Sequence, residues 1–290
     1  MTVRIGRVEL GSGRPKVCVP LTGATVDALE AEALRIRPAA ADLVELRIDR
    51  FDEVGQGAAV HRAIDAVRSA LDDVLPILFT CRSTREGGGA DLPSHRIEAV
   101  TALAAGHPGV AAVDVEMDLQ DDLATQLTRL VQAAGKPVVM SFHDFLGTPR
   151  RQEIVERLVR QGELGADVVK LACMPHTPED VLTLLGATHD YVSRPDARPA
   201  STMAMGPLGV VSRLAGETFG SALTFGTVGA PSAPGQVDAG TLLAVLELIH
   251  AAQGAESSVA EGVPSRKTKN QSGFRALDGW TRGGSPGIFG

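Results

Sequence analysis

Lys136-Pro137-Val138-Val139-Met140-Ser141-Phe142-His143 and Val168-Val169-Lys170-Leu171-Ala172-Cys173-Met174 are the stretches that decide how the chain reads. Both are short apolar runs rich in β-branched residues, the pattern of a buried strand. Each also carries an ionisable group where such a strand should have none. A lysine there must be paired with an acid, reach solvent, or stay neutral because burial disfavours its charge. The neutral amine is a nucleophile of the kind that forms Schiff bases with carbonyl compounds. His143, late in the preceding run, is placed to move protons beside it. Lysine is scarce elsewhere: only five of the 28 Lys and Arg residues are lysine, and of these only Lys170 lies inside a strand-like run.

Outward from this pair, strand-like and helix-like stretches alternate with a regular beat. The strands are expected at 16–21, 43–48, 76–82, 111–117, 136–143, 168–174, 200–205 and 222–225. The helices are expected at 26–36, 58–71, 94–105, 121–134, 149–161, 177–186, 207–215 and 238–252, after a short hairpin within 3–10. Thr148 before Pro149 and Thr177 before Pro178 each put a capping hydroxyl ahead of a first-turn proline. Eight strand–helix pairs within about 250 residues is the count and size of an α/β protein of the (β/α)8 TIM-barrel class. A doubly wound open sheet would usually show a Gly-rich phosphate turn after an early strand, and none is seen. The domains expected are therefore a barrel over 1–253 and a Gly/Ser/Lys/Arg-rich, disordered tail over 254–290.

Barrel strands alternate between facing the helices and facing the interior. In the second strand Glu45 and Arg47 share the inner parity. In the third, Leu78, Thr80 and Arg82 share a face, with Arg82 at the rim. Asp114 and Glu116 point in from the fourth, Ser141 and His143 from the fifth, and Lys170 from the sixth. Charges from five consecutive strands thus converge on one cavity, whether as a structural ion-pair network or as chemistry. Arg82, Glu86, His143 and Lys170 lie at or just past strand ends, on the C-terminal face where barrel enzymes work. Arg213 falls in the seventh helical stretch. Residues 226–236, Gly-Thr-Val-Gly-Ala-Pro-Ser-Ala-Pro-Gly-Gln, have the composition of a lid. Arginines reaching one pocket imply an anionic ligand, most simply a carboxylate.

Composition bounds the rest. A formal net charge of -7 over 290 residues gives no support for nucleic-acid binding. No apolar run approaches a membrane span, and residues 1–11 lack the core of a signal peptide. Cys18, Cys81 and Cys173, an odd number within apolar runs, are expected to be reduced thiols of a cytoplasmic protein. No second histidine or cysteine lies at ligand spacing from His143, so no metal is expected.

At these residues the chain resembles the type I 3-dehydroquinate dehydratases, over 16–252. The matching stretches are Glu45-Leu46-Arg47, Arg82-Ser83-Thr84-Arg85-Glu86-Gly87-Gly88, Asp114-Val115-Glu116, Ser141-Phe142-His143-Asp144-Phe145, Val169-Lys170, residues 206–213, and Ser232-Ala233-Pro234-Gly235-Gln236. The resemblance implies a hydro-lyase that turns 3-dehydroquinate into 3-dehydroshikimate and water, in the shikimate route to chorismate and aromatic amino acids. It implies that Lys170 forms an imine with the C3 ketone, that His143 moves the C2 proton, and that Glu86 orients His143. Arg213 would bind the substrate carboxylate, with Ser232 and Gln236 closing over it. Glu45, Arg47 and Arg82 would hold the ring hydroxyls and carboxylate side, and Met203, Met205 and Phe225 would form the apolar wall. No cofactor is implied, and a homodimer is. A class I aldolase would share the Lys/acid–base core, and a binding-only barrel would keep the arginines but have no need for Lys170 with His143 and Glu86.

Overall fold

The computed structural model describes residues 1–36, 40–119, 122–229 and 232–260. Eight parallel strands follow the expected beat: β3 (Lys16–Leu21), β4 (Leu43–Arg47), β5 (Ile77–Thr80), β6 (Val110–Glu116), β7 (Val138–Asp144), β8 (Val168–Cys173), β9 (Ala200–Ala204) and β10 (Leu223–Thr227). They are preceded by β1 (Val3–Ile5) and β2 (Val8–Leu10), an antiparallel hairpin. The barrel order runs β10-β3-β4-β5-β6-β7-β8-β9, with the two-residue β11 (Val237–Asp238) added beside β10. The ladder is thinnest where β9 meets β10. There a single bridge, Ala200 with Ser221, and the 2.7 Å bond from Ala222 N–H to Ala200 O close the ring. Residues Met1–Gln253 form one compact unit.

The helices are α1 (Val26–Arg35), α2 (Gly57–Ala70), α3 (Ser94–Gly106), α4 (Leu123–Ala133), α5 (Arg151–Glu163), α6 (Pro178–Val192), α7 (Val210–Leu214), α8 (Gly216–Phe219) and α9 (Ala239–Ala260). Thr177 caps α6 as expected: Asp180 N–H donates to its hydroxyl, and the Asp180 carboxylate accepts from Thr177 N–H at 2.9 Å. Thr148 does not cap α5. Its hydroxyl donates to Met174 O at the end of β8, and the helix starts at Arg151, where Glu153 accepts from Arg150 N–H instead. The expected helix 207–215 is a 3-10 turn, Pro207–Gly209, followed by the short α7. α9 runs to Ala260, past the expected tail boundary; 261–290 of that tail lie outside the described residues.

Strand parity divides the apolar residues into two regions. Val17, Val19, Leu46, Phe79, Val113, Met140 and Leu171 face the helices. Cys18, Leu43, Leu78, Ala112, Val139, Val168 and Leu223 face inward at the N-terminal ends of the strands, where Ile5, Val8 and Leu10 of the hairpin cover them. The hairpin is thus a plug for the barrel floor, and it leaves the opposite, C-terminal end open to chemistry. Leu10 is fully buried there. Leu10→Ala is expected to lower the unfolding free energy by about 2–5 kcal/mol in urea titrations; a change under ~0.5 kcal/mol, the size of an ordinary surface substitution, would contradict the plug.

Candidate active site

The open end holds a cavity of about 220 Å³. The twelve residues expected as catalytic or substrate-binding line it: Glu45, Arg47, Arg82, Glu86, His143, Lys170, Met203, Met205, Arg213, Phe225, Ser232 and Gln236; Asp114, Glu116 and Ser141, also expected to point inward, are buried but do not line it. Period-two alternation accounts for most of this convergence, because each strand sends alternate side chains inward and the parallel register keeps their ends level.

Lys170 meets the first of the three alternatives for a buried lysine. Its Nζ lies 3.4 Å from Glu45 Oε1 and 3.3 Å from Asp114 Oδ2, and 4.3 Å from the centre of the Phe225 ring. Thr80 donates its hydroxyl to the same Glu45 oxygen at 2.9 Å, which fixes that carboxylate. Asp114 is held below the usual carboxylate range. Burial would raise it, but Arg82, Lys170 and the Ser141 hydroxyl outweigh burial.

Arg82 was expected to face a ligand; its terminal nitrogens instead bind protein. They donate to Asp114 Oδ1 at 2.8 Å, Ser141 Oγ at 2.7 Å, Glu116 Oε1 at 3.1 Å and Glu86 Oε2 at 3.5 Å. Burial opposes its charge, yet these acids raise its pKa above the ordinary arginine value. Arg47 is likewise committed, forked onto Asp49 at 2.9 and 2.8 Å. Asp49 also accepts from the backbone N–H groups of Arg82 and Gly89, and so pins the loop after β5. Asp49 is a supporting residue missing from the sequence expectation. Its signal was an acid two residues past Arg47, on the same inward parity.

His143 Nδ1 lies 2.8 Å from Glu86 Oε2. Burial pushes Glu86 up to about 8, with Glu116 and Asp114 adding to it against Arg82. Burial, then Arg82 and Lys170, pushes the His143 imidazole well below its ordinary value. Both shifts describe one pair that resists separated charge. With Glu86 ionised, Nδ1–H donates to it and Nε2 carries a free lone pair; with Glu86 protonated, Nδ1 accepts and the proton sits on Nε2. Only the first state makes His143 a base at Nε2.

Arg213 is the contrast to Arg82. It is 1% exposed, yet among the described residues its guanidinium meets only Met203 Sδ and the carbonyls of Phe225 and Pro234, at 3.3–3.5 Å. Among the same residues its Nε has no hydrogen-bond partner and no carboxylate pairs with it, and burial lowers it to about 10. A buried guanidinium held by carbonyls and a thioether has the capacity to take an anion from outside. Ser232 and Gln236 close the loop above: Ser232 N–H donates to Gln236 Oε1 at 2.7 Å, and Gln236 Nε2 donates to Ser232 Oγ at 3.0 Å. That loop sits on the turn after β9, where Gly206 N–H donates to Pro234 O. Gly235 must be glycine for this. Its φ is +76°, and a Cβ would come within 2.2 Å of Gly206 O. Residues 230 and 231 of the expected lid lie outside the described residues. The cavity is further lined by Arg50, Gly87 and Phe145. Among the described residues no cluster of His, Cys, Asp and Glu could hold a metal ion, and no helix is long and apolar enough to cross a membrane.

The sequence profile of a family described as type I 3-dehydroquinase matches residues 17–253. A 3-dehydroquinate dehydratase of Listeria monocytogenes serotype 4b (strain CLIP80459) is 45% identical over 251 residues, covering 86% of this chain and 98% of that one. A 3-dehydroquinate dehydratase of Salmonella agona (strain SL483) is 42% identical over 251 residues, covering 87% and 99%. The crystal structure of a type I 3-dehydroquinate dehydratase from Clostridium difficile, with covalent modified comenic acid, superposes with a TM-score of 0.83 at 38% identity, covering 87% and 98%.

Removing the guanidinium that holds the acids tests the electrostatic account directly. Arg82→Met is expected to cost about 3–5 kcal/mol at neutral pH, because Asp114 and Glu116 stay buried without their counter-charge. In that variant Asp114 loses the largest of the charges that hold its pKa down, so the penalty is present while it is ionised and shrinks as pH falls. Urea unfolding of both proteins across pH checks this; an equal penalty at every pH would contradict it.

Proposed function

This chain belongs to the type I 3-dehydroquinase family, and from that premise we propose how its pocket removes water from 3-dehydroquinate to give 3-dehydroshikimate. The observation that carries the reading is the juxtaposition of a buried lysine with an arginine that lacks an anion, the two meeting at Phe225. Lys170 Nζ lies over the Phe225 ring, and Arg213 donates to the Phe225 carbonyl. A small ring with a ketone and a carboxylate can engage both at once.

In this reading Lys170, after passing its proton to a neighbouring base, adds through Nζ to the C3 ketone. The carbinolamine loses water and leaves a protonated imine, an electron sink for the C2–H bond. His143 Nε2 takes the C2 proton, the electron pair moves toward the iminium, and it returns as the C1–O bond breaks. His143 gives that proton to the departing hydroxyl, so the C2 hydrogen and the C1 hydroxyl leave as one water. A second water hydrolyses the imine and restores Lys170. Glu86 holds His143 in the tautomer that leaves Nε2 free. Arg213 binds the substrate carboxylate bidentately, and Ser232 and Gln236 turn from each other to the ligand. Met203, Met205 and Phe225 form the apolar wall. The direct bonds of Arg82 and Arg47 to acids make them the frame around the ring rather than its main ligands. Glu45, beside the amine, is free to meet the carbinolamine or a ring hydroxyl. The neighbour from Clostridium difficile, solved with covalent modified comenic acid, supports a pocket in which a ligand becomes covalently attached. The reading includes a homodimer and a cytoplasmic location, as the family implies; light scattering on the purified chain checks the first.

Turnover of 3-dehydroquinate tests these roles. Lys170→Ala is expected to abolish it, and Arg213→Ala to lower kcat/KM by about 30-fold or more, the cost of leaving a carboxylate unpaired. Turnover by Lys170→Ala at the wild-type rate would overturn the proposal. A separate expectation concerns pH. Glu86 is pushed up to about 8, so kcat/KM, which reports the free enzyme, should rise with pH as Glu86 loses its proton and should level off above that value. Glu86→Gln has no carboxylate to titrate or to hold Nδ1–H, and should lose both this limb and about 10²–10⁴ in rate. An unchanged limb in Glu86→Gln would assign it to another group.

A further inference from the structure

The backbone changes its bonding side just as it enters β8. Asp167 N–H donates to Val138 O on the β7 side at 3.0 Å, while Val169 N–H, two residues on, donates to Pro199 O on the β9 side at 3.0 Å. In a regular parallel strand residues two apart bond to the same neighbour. The alternation has slipped by one between 167 and 169. Beyond the slip it is regular again: Cys173 O accepts from Met205 N–H on the β9 side, and Met174 N–H donates to Asp144 O on the β7 side. From Val168 to Cys173 the register with β7 is unbroken, with Ser141 opposite Lys170, yet the N–H and C=O of Lys170 are bonded to a side chain of α5.

That side chain is Gln161, near the end of α5 and fully buried. Its Oε1 accepts from Lys170 N–H at 2.9 Å, and its Nε2 donates to Lys170 O at 2.9 Å. It stands on the apolar stripe of α5 with Ile154 and Leu158, a polar group on the face that should be hydrocarbon. A buried carboxamide needs both partners, and so do the two peptide groups it meets. Each satisfies the other.

We propose that Gln161 is a positioning residue for the imine chemistry: its carboxamide holds the β8 backbone at Lys170 and so keeps the lysine aimed into the cavity. This rests on the reading of Lys170 as the imine lysine. The hold comes from the helix joining β7 and β8, so the strands of His143 and Lys170 and their connecting helix act as one unit. Without the carboxamide, β8 can open at Lys170, and Nζ moves off its line between Glu45, Asp114 and the Phe225 ring. An offset of that size costs rate rather than substrate binding, because Arg213 and the lid lie on other elements.

The test compares wild type, Gln161→Leu and Gln161→Glu at a temperature where melting curves show each folded. Substrate is mixed with enzyme and quenched with borohydride at increasing times, and the trapped fraction is read by intact mass. Gln161→Leu is expected to slow both imine trapping and kcat by about tenfold to a hundredfold, with KM within about twofold of wild type. Gln161→Glu keeps the shape. As a neutral acid it accepts from Lys170 N–H and donates to Lys170 O, and as a carboxylate it cannot donate. Its kcat should therefore approach wild type at low pH and fall as pH rises, a descending limb absent from wild type. If Gln161→Leu fails to fold, that limb alone carries the test. Wild-type trapping and kcat in Gln161→Leu, or a wild-type pH profile in Gln161→Glu, would make Gln161 merely structural and overturn the proposal while leaving the imine reading intact. No trapped imine in wild type would take both.

Discussion

The guanidinium of Arg82 is the constraint on which the site depends. It sits just beyond β5, is 3% exposed, and binds acids from β6 and from its own following turn together with a hydroxyl from β7. Two chains of contact leave it. One runs through Asp114 to Lys170, and the other through Glu86 to His143. The nucleophile and the base of the proposed reaction are thus tied to one cation through one acid each. Burying charge costs several kcal/mol per ion unless it is paired and hydrogen-bonded. Here the pairing is dense enough that Asp114 stays ionised, while the less favoured Glu86 is pushed up and shares its proton economy with His143.

Such a network is an investment in position, and the rest of the fold makes room for it. The hairpin fills the barrel floor with Ile5, Val8 and Leu10, so the charges occupy only the C-terminal end. Asp49 spends its carboxylate on Arg47 and on two backbone N–H groups of the loop after β5. Among the described residues that leaves Arg213 as the buried cation with an open demand. The division is chemically sensible, because a cation already neutralised by protein has little left for a ligand carboxylate.

Much of this was legible in the chain. The parity of Glu45-Leu46-Arg47, Asp114-Val115-Glu116 and Ser141-Phe142-His143 puts the charges inside once the strands are recognised, and the twelve expected residues do line one cavity. What parity cannot say is which charge answers which. Arg82 and Arg213 look alike as sequence, yet Arg82 is surrounded by acids and Arg213 by carbonyls and a thioether. Thr148 shows the same limit on a smaller scale. It has the cap signature, but a carbonyl at the end of β8 competes for its hydroxyl, and the helix starts later. Gln161 is the least legible, since a lone polar residue on an apolar stripe gains meaning only when the peptide groups it meets are known.

The central claim is that one lysine forms an imine with the substrate, and the most direct measurement is the site of covalent attachment. The protein is incubated with 3-dehydroquinate, reduced with borohydride, digested and mapped by mass spectrometry. A reduced adduct on the peptide containing Lys170, absent from Lys170→Ala, is the result this account predicts. An adduct on another lysine, or none from a folded protein that still turns over substrate, would contradict it.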